Sequence, residues 1–530
     1  MPLPEETTSN GNTAPHSLRP GPDAYALTRL LTSAMAIRPH AIAVRQGRCA
    51  TTWKELGERV ARFAAALHHL GLERGDRVAV LSANSDDLYA LLLAVPWAGG
   101  VLVPLNTRLT ESELGECLDD CAPRLLLVDG EHRATARALL PGAGFLRHLL
   151  AIEPGDTGGD SLTELAERRQ PLADQGRGGE DAAVICYTGG TTGRAKGVIL
   201  THRSLVSGLL QWQSVARLEA SECLLLAAPM FHLAGLSNSY GAMLVGGTAE
   251  ILDRFDVERV LATIERRRVS YAVLVPAMIR ALVTHPAIAD HDVTPLRRIT
   301  YGGSPIAEQD LRLAMTHLPA TAFVQIYGQT ETGVTTALMP ECHDPALAKR
   351  HSAGRPVAGV ELRIIDPDGN VAPAGGWGEI CVRSPGLAPG YWNRPEETAE
   401  AFRDGWLHTG DIGYLDDEGF LFVVDRAKDM IISGGENVYS VEVERVLDSH
   451  PAVAESAIIG IPSARWGEQV HAVVRLAPGA SAAPEALIGH CRQQLAGYKC
   501  PRSVSFRSEL LPRNPIGKIL KRKLREAENA

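Results

Sequence analysis

From Ala24 to about Val360 one texture repeats: a short continuous apolar run, then a segment of helical period, then another apolar run. The runs at 78–81, 125–128, 224–227, 272–275 and 298–301 carry no alternating polar face, so both faces of each strand need cover. The intervening helical segments supply it, which predicts α/β layers of largely parallel sheet. Around 360–382 the texture changes. Residues 361–365 and 378–382 read as hairpin strands separated by Asp-Gly and Gly-Gly turns, which suits a small antiparallel barrel or sheet. After Asp425 it changes again. Helices at 441–449, 484–495 and 518–526, with strands at 454–460 and 470–476, predict a separate small α+β unit. The expected fold class is therefore α/β. A large N-terminal domain (23–425) holds layered parallel sheets with helices and a small β-barrel-like subdomain. A small mobile α+β C-terminal domain (426–530) follows.

Residues 1–22 are rich in Pro, Thr, Ser, Asn and Gly and read as a disordered tail without the apolar centre of a signal peptide. The uncharged run 88–105 is interrupted by Pro96, Gly99, Gly100 and Pro104. It reads as a buried helix leading into a strand at 101–103, not as an integral membrane segment. A formal charge of −9 gives no overall attraction for nucleic acid. The nine cysteines include no C-x-x-C pair; Cys117 and Cys121 share a helix face without a histidine-rich motif, so buried reduced thiols are expected. A cytoplasmic location is the expectation, and a homo-oligomer is compatible with the sequence. The segment 499–525 carries nine Lys/Arg and one Glu, and reads by default as a solvated basic face, with a polyphosphate contact as the alternative.

Several segments have the wrong chemistry for packing. In Tyr187-Thr188-Gly189-Gly190-Thr191-Thr192-Gly193-Arg194-Ala195-Lys196-Gly197, the six residues 188–193 are three glycines and three threonines, which offer backbone N–H groups and hydroxyls that suit phosphate oxygens. Lys196 adds positive charge. The run is not a Walker loop, because Lys196 is followed by Gly197. Tyr327-Gly328-Gln329-Thr330-Glu331 sets an aromatic ring, a hydroxyl and a carboxylate beside a glycine. Trp406-Leu407-His408-Thr409-Gly410-Asp411 ends in a carboxylate. Asp425-Arg426-Ala427-Lys428-Asp429 leads into Ser433-Gly434-Gly435-Glu436-Asn437, and Pro512-Arg513-Asn514-Pro515-Ile516-Gly517-Lys518 presents a lysine. Each alone is an ordinary turn.

In this order and spacing, from about Ala24 to Arg525, the segments resemble the adenylate-forming superfamily of acyl-CoA synthetases, adenylation domains and luciferases. The resemblance implies two half-reactions, in which a carboxylate attacks the α-phosphate of ATP and a thiol then takes the acyl group. It implies ATP, Mg²⁺ and coenzyme A as cofactor and co-substrates. By the same resemblance Glu331 corresponds to the Mg²⁺ carboxylate, and Thr188, Gly189, Gly190, Thr191, Thr192, Gly193 and Lys196 to the pyrophosphate loop, with Thr191 also at the metal. Thr330 corresponds to an α-phosphate contact, and Tyr327 and Gly328 to the adenine side. Gly302, Gly303, Ser304 and Pro305 match the adenine loop that edges the acid pocket. Asp411 matches the ribose carboxylate, with Arg426 assisting. Lys428 matches the hinge, Gly434 and Gly435 the pantetheine tunnel, and Lys518 the lysine bridging acid and α-phosphate. Gly189 and Ala195 depart from the family pattern, which more often has Ser and Pro there.

The acid side is Pro229-Met230-Phe231-His232-Leu233-Ala234-Gly235-Leu236-Ser237, with His232 either a ring in the acid pocket or a satisfied core histidine. No acidic residue follows Phe231 to hold an α-ammonium group, so a plain carboxylic acid is expected. Ala234, Gly235, Ser237, Gly302, Gly303 and Gly333 read as room for an alkyl chain or aryl ring, with fatty acid favoured. Transfer of the acyl group to a carrier protein or an amine stays open, as does a non-catalytic nucleotide sensor.

Overall fold

The computed structural model describes residues 25–139, 144–154, 161–188, 195–304, 306–344, 347–426, 429, 431–433, 436–463, 465–513 and 519–529; for 348, 425, 426, 432, 436 and 437 the description stops at the backbone. The expected tail at 1–22 lies outside them.

Two large sheets form the body. The strands Arg77–Leu81, Val101–Pro104, Leu125–Val128, His148–Ala151 and Ala182–Thr188 run parallel, and Lys196–Thr201 closes that sheet antiparallel to Ala182–Thr188. The second sheet has nine strands. Its centre, from Ile42–Gln46 through Thr248–Ile251, Cys223–Leu226, Tyr271–Leu274 and Arg298–Gly302 to Ala322–Tyr327, is parallel, and its edges are antiparallel.

Strand periodicity divides the core into layers, because successive residues face opposite sides. Val78 and Val80 join Leu224, Leu226 and Val273 in one cluster, so both sheets share a central layer. The helices Asp86–Trp97 and Leu233–Val245 lie in it. Ala79 and Leu81 instead pack toward the helix Glu111–Cys121. Leu225, Ala272 and Ile299 face the helices Val257–Arg267, Pro276–Thr284 and Glu308–His317. The arrangement is α/β/α/β/α, as the apolar runs require.

Asp86–Trp97 is apolar on all sides because the central layer surrounds it. The expected buried helix followed by a strand (Val101–Pro104) is what the fold contains. Among the described residues no helix is long and apolar enough to cross a membrane. Cys117 and Cys121 are buried free thiols, each pushed up to about 12 by burial.

The third sheet is antiparallel and curled. Glu361–Ile365, Gly378–Arg383, Trp406–Leu415 and Phe402–Arg403 follow one another, and Leu421–Arg426 pairs on Trp406–Leu415. No pairing among the described residues closes it into a full barrel.

The fourth sheet draws every strand from Ile431 onward: Glu436–Val438, Ile431–Ser433, Gly467–Leu476, Val453–Ser463 and, parallel to Gly467–Leu476, Ser503–Phe506. Helices Ser440–Asp448 and Pro484–Arg492 cover one face through Val443, Leu447 and Leu487. Leu524 of Lys521–Glu528 covers the other with Ala457, Ile459 and Val473. The last helix starts three residues later than 518. Among the described residues, most cations of the basic segment are paired with acids. Lys499 pairs with Glu442, Arg507 with Glu528, Arg513 with Glu455, Lys521 with Glu444 and Arg525 with Asp429. The partner acids come from other parts of the same unit, which a count of local charges cannot register.

Where the third and fourth sheets meet, Trp377 stacks on both Tyr414 and Tyr439. The ring centroids are 5.1 and 4.9 Å apart, and Tyr439 immediately precedes the helix Ser440–Asp448.

Candidate active site

The Gly/Thr run sits at the tip of a hairpin. Thr188 and Lys196 are the last paired residues of Ala182–Thr188 and Lys196–Thr201, and Thr201 then caps the helix His202–Ala216 by accepting from the Ser204 N–H at 3.0 Å. Gly189, Gly190, Thr191, Thr192 and Gly193 lie outside the described residues. A second segment braces the hairpin. Trp392 N–H donates to the Gly197 carbonyl at 2.7 Å, and Ile199 N–H to that of Gly390 at 3.0 Å. A Cβ on Gly197 would stand 2.8 Å from Ile185 and 3.3 Å from Trp392, so only glycine lets the two strands approach so closely.

Through this brace Lys196 meets chemistry from elsewhere in the chain. Its ammonium pairs with Glu397 and lies 5.2 Å from the Tyr391 ring centroid. The Tyr391 hydroxyl donates to Glu331 Oε1 at 3.0 Å, and burial together with that carboxylate raises the phenol above its ordinary pKa. Glu331 is thereby joined to Lys196 through one tyrosine.

Glu331 belongs to a tight turn after the strand Ala322–Tyr327. Gln329 N–H donates to Thr332 Oγ1 at 2.8 Å, Gly333 takes φ +64°, and Thr335 N–H returns to the Tyr327 carbonyl at 2.8 Å. A Cβ on Gly328 would come 1.8 Å from the Gly333 carbonyl oxygen. Thr330 is half-buried in this turn.

At the start of the turn lies the other carboxylate. Asp411, 6% exposed, accepts at Oδ2 from the Tyr327 hydroxyl and from Gln329 Nε2, both at 2.8 Å. Thr409 Oγ1 accepts from Asp411 N–H at 3.1 Å, and Gly410 N–H donates to Glu379 Oε1 at 3.0 Å. Across the sheet Asp411 is paired in register with Arg426, whose side chain lies outside the description. One five-residue turn thus ties Asp411, through Tyr327 and Gln329, to Glu331 and Lys196.

Gly302 ends the strand beside Tyr327's own, and Gly303 follows at φ +84° with Ser304 half-buried after it. The room read into the glycines is corrected in part. A Cβ at Gly302 would lie 2.4 Å from the Ile326 carbonyl oxygen, and one at Gly235 would lie 2.1 Å from that of Pro229. Both let backbone pass backbone and open no space for an acid. Gly303 and Gly333 have only distant neighbours.

His232 caps the helix Leu233–Val245 without a side-chain cap bond. Its Nε2 is buried with no hydrogen-bond partner among the described residues. The ring lies 4.7 Å from that of Phe231, and burial, with Arg108 nearby, brings its pKa down to about 4. It is therefore a neutral ring with an unused polar atom, and no hydrogen bond ties it to Asp411 or Glu331. Pro305, Lys428, Gly434, Gly435 and Lys518 lie outside the described residues.

Tyr391 and Glu397 went unread in the sequence. The signal available was Gly390-Tyr391 standing just before the helix Pro395–Ala401 that carries Glu397, and nothing local linked that segment to Lys196.

The fold and this pair of linked carboxylates define an AMP-binding enzyme, and the chain belongs to that family. The AMP-binding enzyme model matches residues 31–392, and the AMP-binding enzyme C-terminal domain model matches 442–518. The chain is 40% identical over 489 residues to a feruloyl-CoA synthase of Amycolatopsis sp, covering 92% of this chain and 96% of that protein. It is 38% identical over 488 residues to the long-chain-fatty-acid–CoA ligase FadD13 of Mycobacterium tuberculosis, covering 90% and 93%. Among solved structures it resembles ATP-bound MatB from Rhodopseudomonas palustris, with a TM-score of 0.87, 33% identity and coverage of 95% and 98%.

Proposed function

We propose that the chain is an AMP-forming acid:CoA ligase, which activates a hydrophobic carboxylic acid, aryl or fatty, as its acyl-adenylate and passes the acyl group to coenzyme A. The observation that carries this is the turn linking Asp411 to Glu331 and Lys196. ATP brings about four negative charges, and an incoming carboxylate is repelled unless cations meet them. Asp411 accepts the ribose hydroxyls, with Arg426 assisting, and the Tyr327 ring lies against adenine beside Gly302, Gly303, Ser304 and Pro305. The loop from Thr188 through Thr191, Thr192 and Lys196 holds the β- and γ-phosphates, and Thr330 meets the α-phosphate.

Glu331 offers the oxygen donor that a hard cation takes, and one of its oxygens is already oriented by Tyr391. It would hold Mg²⁺ with Thr191, and the bound ion supplies charge neutralisation at the phosphates. Lys518 reaches the α-phosphate and the acid carboxylate, where a point charge on a flexible stem is suited to the task. His232, neutral and with an unused ring nitrogen, borders the acid.

Relatives named for CoA ligation along nearly their whole length support coenzyme A as acceptor. The domain division runs at 425/426 with a hinge at Lys428. It is supported by a fourth sheet built only from residues after 430 and by two family models that fall on either side. Gly434 and Gly435 border the pantetheine arm. A cytoplasmic site of action follows from ATP and coenzyme A as substrates.

The test is ATP–pyrophosphate exchange over acids of graded length and aromaticity, followed by thiol capture with CoA, a carrier protein or an amine. Acid-dependent exchange with acyl-CoA as product is expected; exchange without CoA turnover would move the acceptor, and no exchange with any acid would remove the reading. Lys518→Ala should lower adenylation about 10²–10³-fold while sparing thioester formation from presynthesised acyl-adenylate. Equal loss in both steps would refute its role.

A further inference from the structure

On the curled sheet, Cys381 and His408 are directly opposed across the antiparallel pair Gly378–Arg383 and Trp406–Leu415. A register shift between Glu379 and Cys381 brings the Glu379 side chain to the same place. His408 Nδ1 lies 2.8 Å from Glu379 Oε2 and 3.3 Å from Cys381 Sγ, and the three ligand atoms all fall within 4.8 Å of one another. The Arg403 guanidinium also approaches Nδ1, at 2.8 Å. One imidazole nitrogen makes one hydrogen bond, yet three heteroatoms converge on this one. Cys381 is fully buried, whereas the Arg403 side chain is about half exposed and can swing into solvent.

We propose that Glu379, Cys381 and His408 form a binding site for a borderline-soft divalent cation of the Zn²⁺ class, which Arg403 occupies as a displaceable stand-in. The donor set is one sulfur, one imidazole nitrogen and one carboxylate oxygen. Zn²⁺ takes such a set tetrahedrally, leaving a fourth position for water, and the thiolate discriminates against Mg²⁺. Across a tetrahedral zinc, sulfur and nitrogen stand about 3.5 Å apart, near the 3.3 Å of this pair, and nitrogen and oxygen about 3.4 Å apart, so Glu379 Oε2 has to move off His408 by about half an ångström to close the site. Binding forms the Zn–S, Zn–N and Zn–O bonds, releases the Cys381 thiol proton to solvent and leaves the Arg403 cation in water. The site is separate from the nucleotide chemistry, although Glu379 also accepts from Gly410 N–H, the neighbour of Asp411.

Co²⁺ reports the site directly, because a thiolate ligand produces a sulfur-to-metal charge-transfer band. The full-length protein, stripped with chelator and free of nucleotide, acid and CoA, is titrated with Co²⁺ and then with competing Zn²⁺, with Mg²⁺ in excess throughout. The expected result is a band saturating at one equivalent, displaced by Zn²⁺ and absent from Cys381→Ser, with affinity lowered at least about tenfold in His408→Ala. Arg403→Ala should raise affinity at least about tenfold by removing a charge beside the ion. No band in the unaltered protein, a band that survives Cys381→Ser, or an affinity indifferent to Arg403 would each overturn the site. Because no substrate is present, failure here leaves the ligase reading untouched, and failure of that reading leaves this test intact.

Discussion

Tyr391 uses both of its faces of chemistry: the hydroxyl on Glu331 and the ring beneath the Lys196 ammonium. Tyr391→Phe keeps the ring and removes the donor to a charged oxygen, a loss of about 1.5–3 kcal/mol. The kcat/KM for MgATP should fall about 10- to 100-fold, with a greater demand for Mg²⁺; an unchanged Mg²⁺ titration would take Tyr391 out of the site. His202 makes a prediction about stability. Its Nδ1 accepts from Leu27 N–H at 3.0 Å, its Nε2 is buried without a partner among the described residues, and burial brings its pKa down to about 4. The unfolded chain takes up a proton near pH 6.5 while the folded one does not. Stability is therefore held above 6.5 and lost as pH falls from there toward 4. Between pH 7 and 5 the loss at this residue should be about 2 kcal/mol. Urea unfolding of His202→Asn should show a correspondingly flatter pH dependence, and an equal slope would refute the assignment. Legibility differs among these residues. Glu331 and Asp411 are singled out in the sequence only by the order and spacing of their segments, since each segment alone is an ordinary turn. Tyr391 lies 60 residues from Glu331 and gains its meaning only when the Gly390–Trp392 backbone docks on Lys196–Thr201.

At the scale of elements, the Gln329–Gly333 turn sets the distance between the two carboxylates. Gly328→Ala drives a Cβ against the Gly333 carbonyl oxygen, and no flexible side chain is there to yield. The turn has to open, separating Tyr327 from Glu331. Activity should fall more than about tenfold and stability by about 1–3 kcal/mol, measured by turnover and by thermal unfolding. A variant with parental turnover would show that the turn does not set the site. Strands in the body were readable to within a residue because continuous apolar runs persist there. Leu125–Val128 coincides with the expectation. Glycine was misread where chemistry depends on what approaches it. Gly235 and Gly302 look like pocket space in a sequence but are backbone crossings in the fold. The basic C-terminal run was misread for a related reason, since Glu442, Glu444 and Glu455 reach it only after folding.

At the scale of the whole molecule, the proposed reaction asks two surfaces of the C-terminal unit to face one acyl carbon in turn. Lys518 is needed first, and the Gly434-Gly435 stretch later. Lys428→Pro fixes φ and removes an N–H at the hinge. Pyrophosphate release should persist while acyl-CoA formation falls at least about tenfold, read by single-turnover assays of each step; parental acyl-CoA production would remove this hinge. The two-unit division could be read from the change of texture after Asp425. The joint between the units could not, because it is made by rings that lie far apart in the chain. Trp377 is clasped between Tyr414 on the curled sheet and Tyr439 at the head of the helix Ser440–Asp448. In the proposed cycle, a rotation of the C-terminal unit that carries Tyr439 away from the curled sheet would part it from Trp377. Such a contact gives about 0.5–1.5 kcal/mol, too little to lock a domain and enough to bias where it rests. In the proposed swing between half-reactions the stack would serve as a detent, a shallow notch that the C-terminal unit leaves and clicks back into.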